Sequence, residues 1–286
     1  MNFDHVKEHY NLQKNRSIKE RQYTLNYNIR LFNNKLKKAF IQDNIISNAT
    51  VLELGVGKGG DLKKYNDLNI NFLVGLDISN ISLLALLQRY PYNTFNYKCR
   101  FKCIDCFGTA FNLQKKFNLI SCQFAFHYAF ISEAVALTAI KNIDIHLVPK
   151  GRFIMTIPSK TEICKRIKSN NTENNLYKLI PSKKLQYICN NNEEYLPENI
   201  YSMSYEFELK DSIDKCEEYL VDDTTIKTIF EKAGYRLVYN YNFEEYVTYL
   251  AQRIQYRYSL VKDLRNLNSM EREVISLYQV YSFEKQ

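Results

Sequence analysis

Short apolar runs alternate with amphipathic stretches along most of the chain. Residues 50–54 form an apolar run that ends in Gly55, and residues 72–76 form a second that ends at Asp77; both read as buried strands. Similar runs recur at 97–104, 117–123, 151–157 and 235–241, and helical periods lie at 61–65, 81–89, 132–146 and 223–232. Residues 4–42 carry apolar positions among polar ones with neither Pro nor Gly, which predicts a helical N-terminal arm. Two polar tracts, 169–175 and 190–194, break the rhythm and read as loops in an insertion after the fifth strand. Residues 201–209 and 274–283 are rich in β-branched and aromatic residues and read as late strands. Strand alternating with helix implies βαβ units and a mainly parallel sheet covered on both faces, the α/β class. With 286 residues and no internal repeat, the chain fits a single large domain. Its expected parts are an arm (1–45), a first core segment (46–160), the insertion (160–215) and a C-terminal part of the core (216–286).

Composition narrows the class. Hydrophobic residues make up 45% and charged residues 24%, which excludes a disordered tail or a fibre. The most apolar window, 117–140, is broken by Gln123, His127 and Glu133, short of the ~20 apolar residues a membrane helix needs. The charged N-terminus lacks the apolar stretch of a secretion signal, and seven cysteines without framework spacing suit a reducing compartment. The expectation is an intracellular protein that makes no use of a membrane. Thirty-nine basic against 31 acidic residues leave +8. That balance fits an anionic partner or a surface written in lysine by AT-rich codons. Lys35, Lys37, Lys38, Lys58, Lys63 and Lys64 crowd one glycine-rich stretch and favour a basic face around a site.

That stretch runs Glu53-Leu54-Gly55-Val56-Gly57-Lys58-Gly59-Gly60, where strand gives way to helix. Glycines there let the backbone approach a ligand and take a tight turn. Asp77 follows Gly55 by 22 residues at the end of the next strand, where a carboxylate accepts both hydroxyls of a ribose. The spacing satisfies both the dinucleotide pattern and the G-x-G-x-G of methyltransferases. Acidic Glu53 tilts the choice to S-adenosylmethionine, since it suits the cationic methionine end and would do nothing for a pyrophosphate. Cys99, Cys103 and Cys106 have the C-x₃-C-x₂-C spacing of an iron–sulfur site, but they fall on a strand and its end and lack a fourth ligand for zinc. No metal is expected.

Residues 51–65, VLELGVGKGGDLKKY, resemble the glycine motif of mRNA cap guanine-N7 methyltransferases. Gln123-Phe124-Ala125-Phe126-His127-Tyr128 is similar to that family's Q-F-x-x-H-Y segment, and Asn33-Asn34 with Lys37 to its N-N-x-x-K. Residues 151–158 and 216–219 follow in the family's order, and the compactness resembles the minimal single-domain members from microsporidia. The resemblance implies a class I S-adenosylmethionine-dependent methyltransferase sheet with S-adenosylmethionine as cofactor and S-adenosylhomocysteine as product. Lys37, Glu53, Gly55, Gly57, Asp77, Asp105, Gln123 and Tyr128 would then bind the cofactor. Asn33, Asn34, Lys58, Phe107, Phe124, His127, Pro158, Glu218 and Tyr278 would bind the cap. Phe107 stands where minimal members tend to have tyrosine and so lacks a hydroxyl.

Guanine N7 carries a lone pair and no proton, so no side chain is expected to act as acid, base or nucleophile. Glu218, His127 and Tyr128 would position the reactants for in-line transfer, with Glu218 accepting the two donors of the guanine edge. The implied activity is methyl transfer to N7 of the 5′ GpppN cap. Two other readings stay open: a methyltransferase for another nitrogen or a small molecule, and a non-catalytic RNA-binding or stimulatory module. A nicotinamide oxidoreductase lacks a visible hydride-transfer set. The resemblance further implies the capped 5′ end of mRNA as partner, with a capping guanylyltransferase or the RNA polymerase II tail beside it. It also implies a nuclear setting and action as a monomer.

Overall fold

The computed structural model describes residues 4–12, 18–91, 94–191, 201–253 and 259–286. Ten strands run β1 Thr50–Leu54, β2 Phe72–Asp77, β3 Lys98–Cys103, β4 Phe117–Gln123, β5 Leu147–Pro158, β6 Tyr177–Pro181, β7 Ser204–Leu209, β8 Ile213–Tyr219, β9 Tyr235–Asn242 and β10 Tyr278–Lys285. Seven of them form one sheet in the order β3-β2-β1-β4-β5-β10-β9. β1 to β5 pair in parallel, while β10 runs antiparallel to both β5 and β9. The result is a mixed α/β sheet whose C-terminal strand β10 inserts between β5 and the edge strand β9.

The helices are α1 Asp4–Leu12, α2 Ile18–Arg21, α3 Tyr27–Asn44, α4 Asn80–Arg89, α5 Glu133–His146, α6 Lys160–Lys168, α7 Lys183–Asn191, α8 Asp223–Lys232, α9 Phe243–Ala251, α10 Ser259–Asn266 and α11 Ser269–Ser276. Caps explain several boundaries. Ser79 and Ser132 accept backbone N–H bonds at the starts of α4 and α5, and Asn242 and Asn268 close capping boxes on α9 and α11. Apolar side chains cover both faces of the sheet. Phe40, Leu73 and Leu86 lie in one layer, and Phe117, Phe126 and Phe153 in the other. In the second layer Phe230 stacks on Phe283 at 4.3 Å, which ties α8 to β10.

Several expectations need correction. The arm is not one helix over 4–42: turns at 22–26 separate α2 from α3. The helical period at 61–65 is a 3-10 helix that runs over Leu62–Leu68 and ends three residues short of β2. Residues 274–276 belong to α11, so the last strand starts at Tyr278. The insertion holds a second sheet of its own, β6-β7-β8, all antiparallel. It takes β8 from the segment expected in the main core. Of the second polar tract, residues 192–194 lie outside the described residues. Among the described residues no helix is long and apolar enough to cross a membrane.

Candidate functional site

At the carboxyl ends of β1, β2, β3 and β4 the sheet opens into a cavity of ≈ 370 Å³. Ligand sites in open α/β sheets belong at this edge. One face of α3 walls it, because Asn26, Arg30, Asn33, Asn34 and Lys37 recur at helical spacing. The insertion sheet supplies Glu218 from β8, and α1 supplies Val6 and Tyr10.

At one end lies the glycine loop. Gly57 has φ +52°, and a Cβ built there meets nothing within 4 Å, so its open side faces space in the cavity wall. Gly59 differs: at φ +72° its Cβ would fall 2.9 Å from Leu62 and Tyr90. Asp77 shapes the loop, since Gly57 N–H donates to one carboxylate oxygen at 2.7 Å and Ser79 N–H to the other at 2.8 Å. Burial raises the Asp77 carboxyl, against the pull of those two bonds. Asp105 likewise takes backbone N–H bonds, from Phe107 at 3.0 Å and Gly108 at 2.9 Å.

Glu53 sits beneath the loop, 2% exposed, and its Oε2 has no hydrogen-bond partner. Burial, then Asp61, pushes its carboxyl well above the usual range. Lys37 pairs with Asp61 at 2.8 Å and holds its ammonium 5.5 Å from the centre of the Phe124 ring. Gln123 Oε1 is also buried and unpartnered, while its amide donates to Ser121 at 2.9 Å. A buried carboxyl with an unpartnered oxygen, an unpartnered amide oxygen and a glycine cradle form a set that fits a cationic amino-acid nucleoside, whose charge would draw the carboxyl to its ionised form.

The other end is aromatic. Phe124 stands at φ +58°, an uncommon conformation for a bulky residue, and its backbone N–H bonds Thr156. Its ring meets Tyr278 edge to face at 5.0 Å. Glu218 is 4% exposed; Tyr205, its partner across the β7–β8 ladder, donates a hydrogen bond of 2.8 Å to its Oε2. Burial raises the Glu218 carboxyl to about 7 against that bond, and burial lowers His127 to about 3. His127 Nε2 lies 3.7 Å from Glu218 Oε1, and neither ring nitrogen is hydrogen-bonded. With the imidazole neutral, this is a polar contact rather than an ion pair.

Of the residues expected from sequence, Lys37, Gly55, Gly57, Asp77, Asp105, Gln123, Tyr128, Asn33, Asn34, Phe107, Phe124, His127, Glu218 and Tyr278 line the one cavity. Glu53, Lys58 and Pro158 are not in the lining. Pro158 sits behind Tyr278 as its strand partner, and Lys58 lies on the loop beside Arg89. Phe107 adjoins Asp105 and packs on Phe126 at 5.8 Å, at the glycine-loop side rather than among the aromatics around Glu218. The expected basic face is largely paired off: Lys37 and Lys64 are buried against Asp61, while Lys35 and Lys38 pair at the surface with Asp263 and Asp67. Sequence reasoning missed Tyr10, whose hydroxyl bonds Tyr128 at 3.1 Å, and Cys216, whose sulfur meets the same Tyr128 hydroxyl at 3.2 Å. It also missed Asn26 and Arg30, which stepping back one and two turns from Asn34 along α3 would have found. Among the described residues no group of three His, Cys, Asp or Glu side chains is placed to hold a metal.

Comparison with known proteins bears on this cavity. Residues 2–286 match the model of the mRNA (guanine-N(7))-methyltransferase domain. The chain is 28% identical over 305 residues to mRNA cap guanine-N(7) methyltransferase 1 of Oryza sativa, covering 98% of this chain and 80% of that protein. It is 30% identical over 259 residues to mRNA cap guanine-N(7) methyltransferase 1 of Arabidopsis thaliana, covering 85% and 68%. In fold it resembles an S-adenosylmethionine-dependent methyltransferase from Clostridium acetobutylicum, with TM-score 0.53, 14% identity and coverage of 90% and 91%. It also resembles the glycopeptide N-methyltransferase MtfA complexed with S-adenosylmethionine, with TM-score 0.51, 13% identity and coverage of 88% and 93%.

Proposed function

The chain belongs to the mRNA (guanine-N(7))-methyltransferase family, and from that premise we propose how its cavity is divided between methyl donor and cap. The enzyme methylates N7 of the cap guanine at the 5′ end of mRNA, with S-adenosylmethionine as donor. The donor supplies an electrophilic methyl group on a sulfonium. Glu53 and Lys37 would take its amino-acid end, Gly55 and Gly57 its close approach, Asp77 its ribose, and Asp105 with Phe107 its base. Gln123 and Tyr128 would line the same end.

The guanine belongs with Glu218. Its N1–H and exocyclic amine are adjacent donors that one carboxylate accepts together. Glu218 offers a buried carboxylate beside aromatic faces, and this is the observation that carries the assignment. Phe124 and Tyr278 would bound the base, a contact worth about 1–3 kcal/mol for each stacked base. His127, neutral and unpaired, would bond the base or its ribose, with Pro158 backing Tyr278. Asn33, Asn34 and Lys58 would face cap ribose or phosphate. Since N7 is unprotonated, the residues need only fix collinear geometry and exclude water. Glu218 also favours the positive charge that grows on the ring.

The wider setting is read from the same family. The chain would act as a monomer and as a single domain over 1–286, of the compact microsporidian kind. It would work in the nucleus beside a capping guanylyltransferase or the RNA polymerase II tail. Labelled S-adenosylmethionine with capped RNA, cap dinucleotide, GTP and uncapped triphosphate RNA tests the assignment. Label on the first two, released as 7-methylguanine, is expected; transfer to uncapped RNA alone would refute it.

A further inference from the structure

Away from the cavity, two helices of the insertion bring a pair of thiols together. Ile163 and Ile167 on α6 and Leu185 and Ile188 on α7 are buried in one apolar cluster, and Cys164 and Cys189 lie at the same seam. The sulfurs stand 3.2 Å apart. Cys189 is buried, whereas Cys164 is half-buried. A disulfide needs an S–S distance of about 2.03–2.05 Å, so a shift of roughly 1 Å, shared between two side chains, closes the gap.

We propose that Cys164 and Cys189 are an oxidation site that forms a reversible disulfide, stapling α6 to α7. The oxidant is a peroxide. The Cys164 thiolate attacks a peroxide oxygen, the O–O bond breaks, and hydroxide leaves behind a sulfenic acid. The Cys189 sulfur then displaces the sulfenic oxygen, which departs as water with the Cys189 proton. Two thiols and one hydrogen peroxide thus give one disulfide and two waters, and a small-molecule dithiol reverses the change. Exposure sets the order. Cys164 meets solvent first, while hydrogen bonding to Cys164 and burial hold Cys189 as the thiol.

The link would close the segment from Cys164 to Cys189, which contains β6, and so restrict the unfolded chain. The neighbourhood matters to the cap side of the cavity. α6 follows β5 directly, and its Lys160 pairs with Asp222, a few residues beyond Glu218. Cys103 offers a built-in contrast, an exposed thiol whose sulfur bonds the backbone oxygen of Ile78.

The full chain is treated with a small excess of hydrogen peroxide, blocked with iodoacetamide, digested without reductant and mapped by mass spectrometry. The expected product is a peptide joining Cys164 to Cys189, two hydrogens lighter than its parts and released by dithiothreitol. The oxidised protein should melt about 5–10 °C higher. Cys164→Ser and Cys189→Ser should each abolish both effects, and Cys103→Ser neither. The wild-type peptide map decides alone if a variant fails to fold. Oxidation of Cys103 with no Cys164–Cys189 peptide, or a link to any other cysteine, would overturn the proposal.

Discussion

Burial raises the Glu218 carboxyl to about 7 although Tyr205 donates to it, so near neutral pH half of these carboxyls carry a proton. A protonated Glu218 accepts only one of the two guanine donors. kcat/KM for the cap should therefore rise with pH through about 7 and level off above it, whereas donor affinity measured by calorimetry should stay flat there. The stability consequence has the opposite sense. Because the folded pKa exceeds the unfolded value, the native state binds more protons between about 4.5 and 7 and loses stability as pH rises through that window. At pH 8 the charge costs folding about 3 kcal/mol. Glu218→Gln should thus raise the melting temperature at pH 8 while lowering cap methylation at least about 100-fold. A melting temperature that falls would contradict the account. The geometry of this residue was legible only in part. The sequence marked Glu218 through a short motif, but Tyr205, 13 residues earlier, meets it only through the β7–β8 register.

The glycine loop separates binding from folding at the level of one element. Gly57 leaves open space where a Cβ would stand, but Gly59 is packed against Leu62, Tyr90 and Leu86. Gly57→Ala should cost stability about 1 kcal/mol through its positive φ and weaken donor binding at least about tenfold. Gly59→Ala should lower the melting temperature more, because three side chains must move; thermal scans with and without donor separate the two effects. Asp77→Ala should weaken the donor before the cap, and a cap defect alone would refute its placement. The strand-to-helix switch and Asp77 were readable because a parallel sheet leaves contiguous apolar runs and fixed loop chemistry. The cavity face of α3 was readable only where Asn33, Asn34 and Lys37 carried a motif. The break in the arm was not, since the turns at 22–26 contain no Pro or Gly to mark them.

Across the molecule, one wall of the cavity comes from the parallel sheet and another from the insertion. β1, β2 and β4 read cleanly from sequence because each is a short apolar run, whereas β3 mixes charged and apolar positions and only the apolar second half of β5 stood out. The insertion did not read cleanly. Its β6 is only five residues long and β8 is mostly polar with no regular period, so neither stands out as a strand, and α9 to α11 follow a stretch where tyrosines obscure the period. The partnership of Glu218 with the guanine edge joins these two walls and is the central claim. Single-turnover methyl transfer to RNA capped with inosine in place of guanosine tests it most directly. Inosine keeps N7 and N1–H but lacks the exocyclic amine. With the native enzyme the inosine cap should react about 10–100-fold more slowly than the guanosine cap, a loss of about 1–3 kcal/mol, and with Glu218→Gln the two caps should differ little. Equal rates for the two caps with the native enzyme, or an unchanged preference after Glu218→Gln, would contradict it.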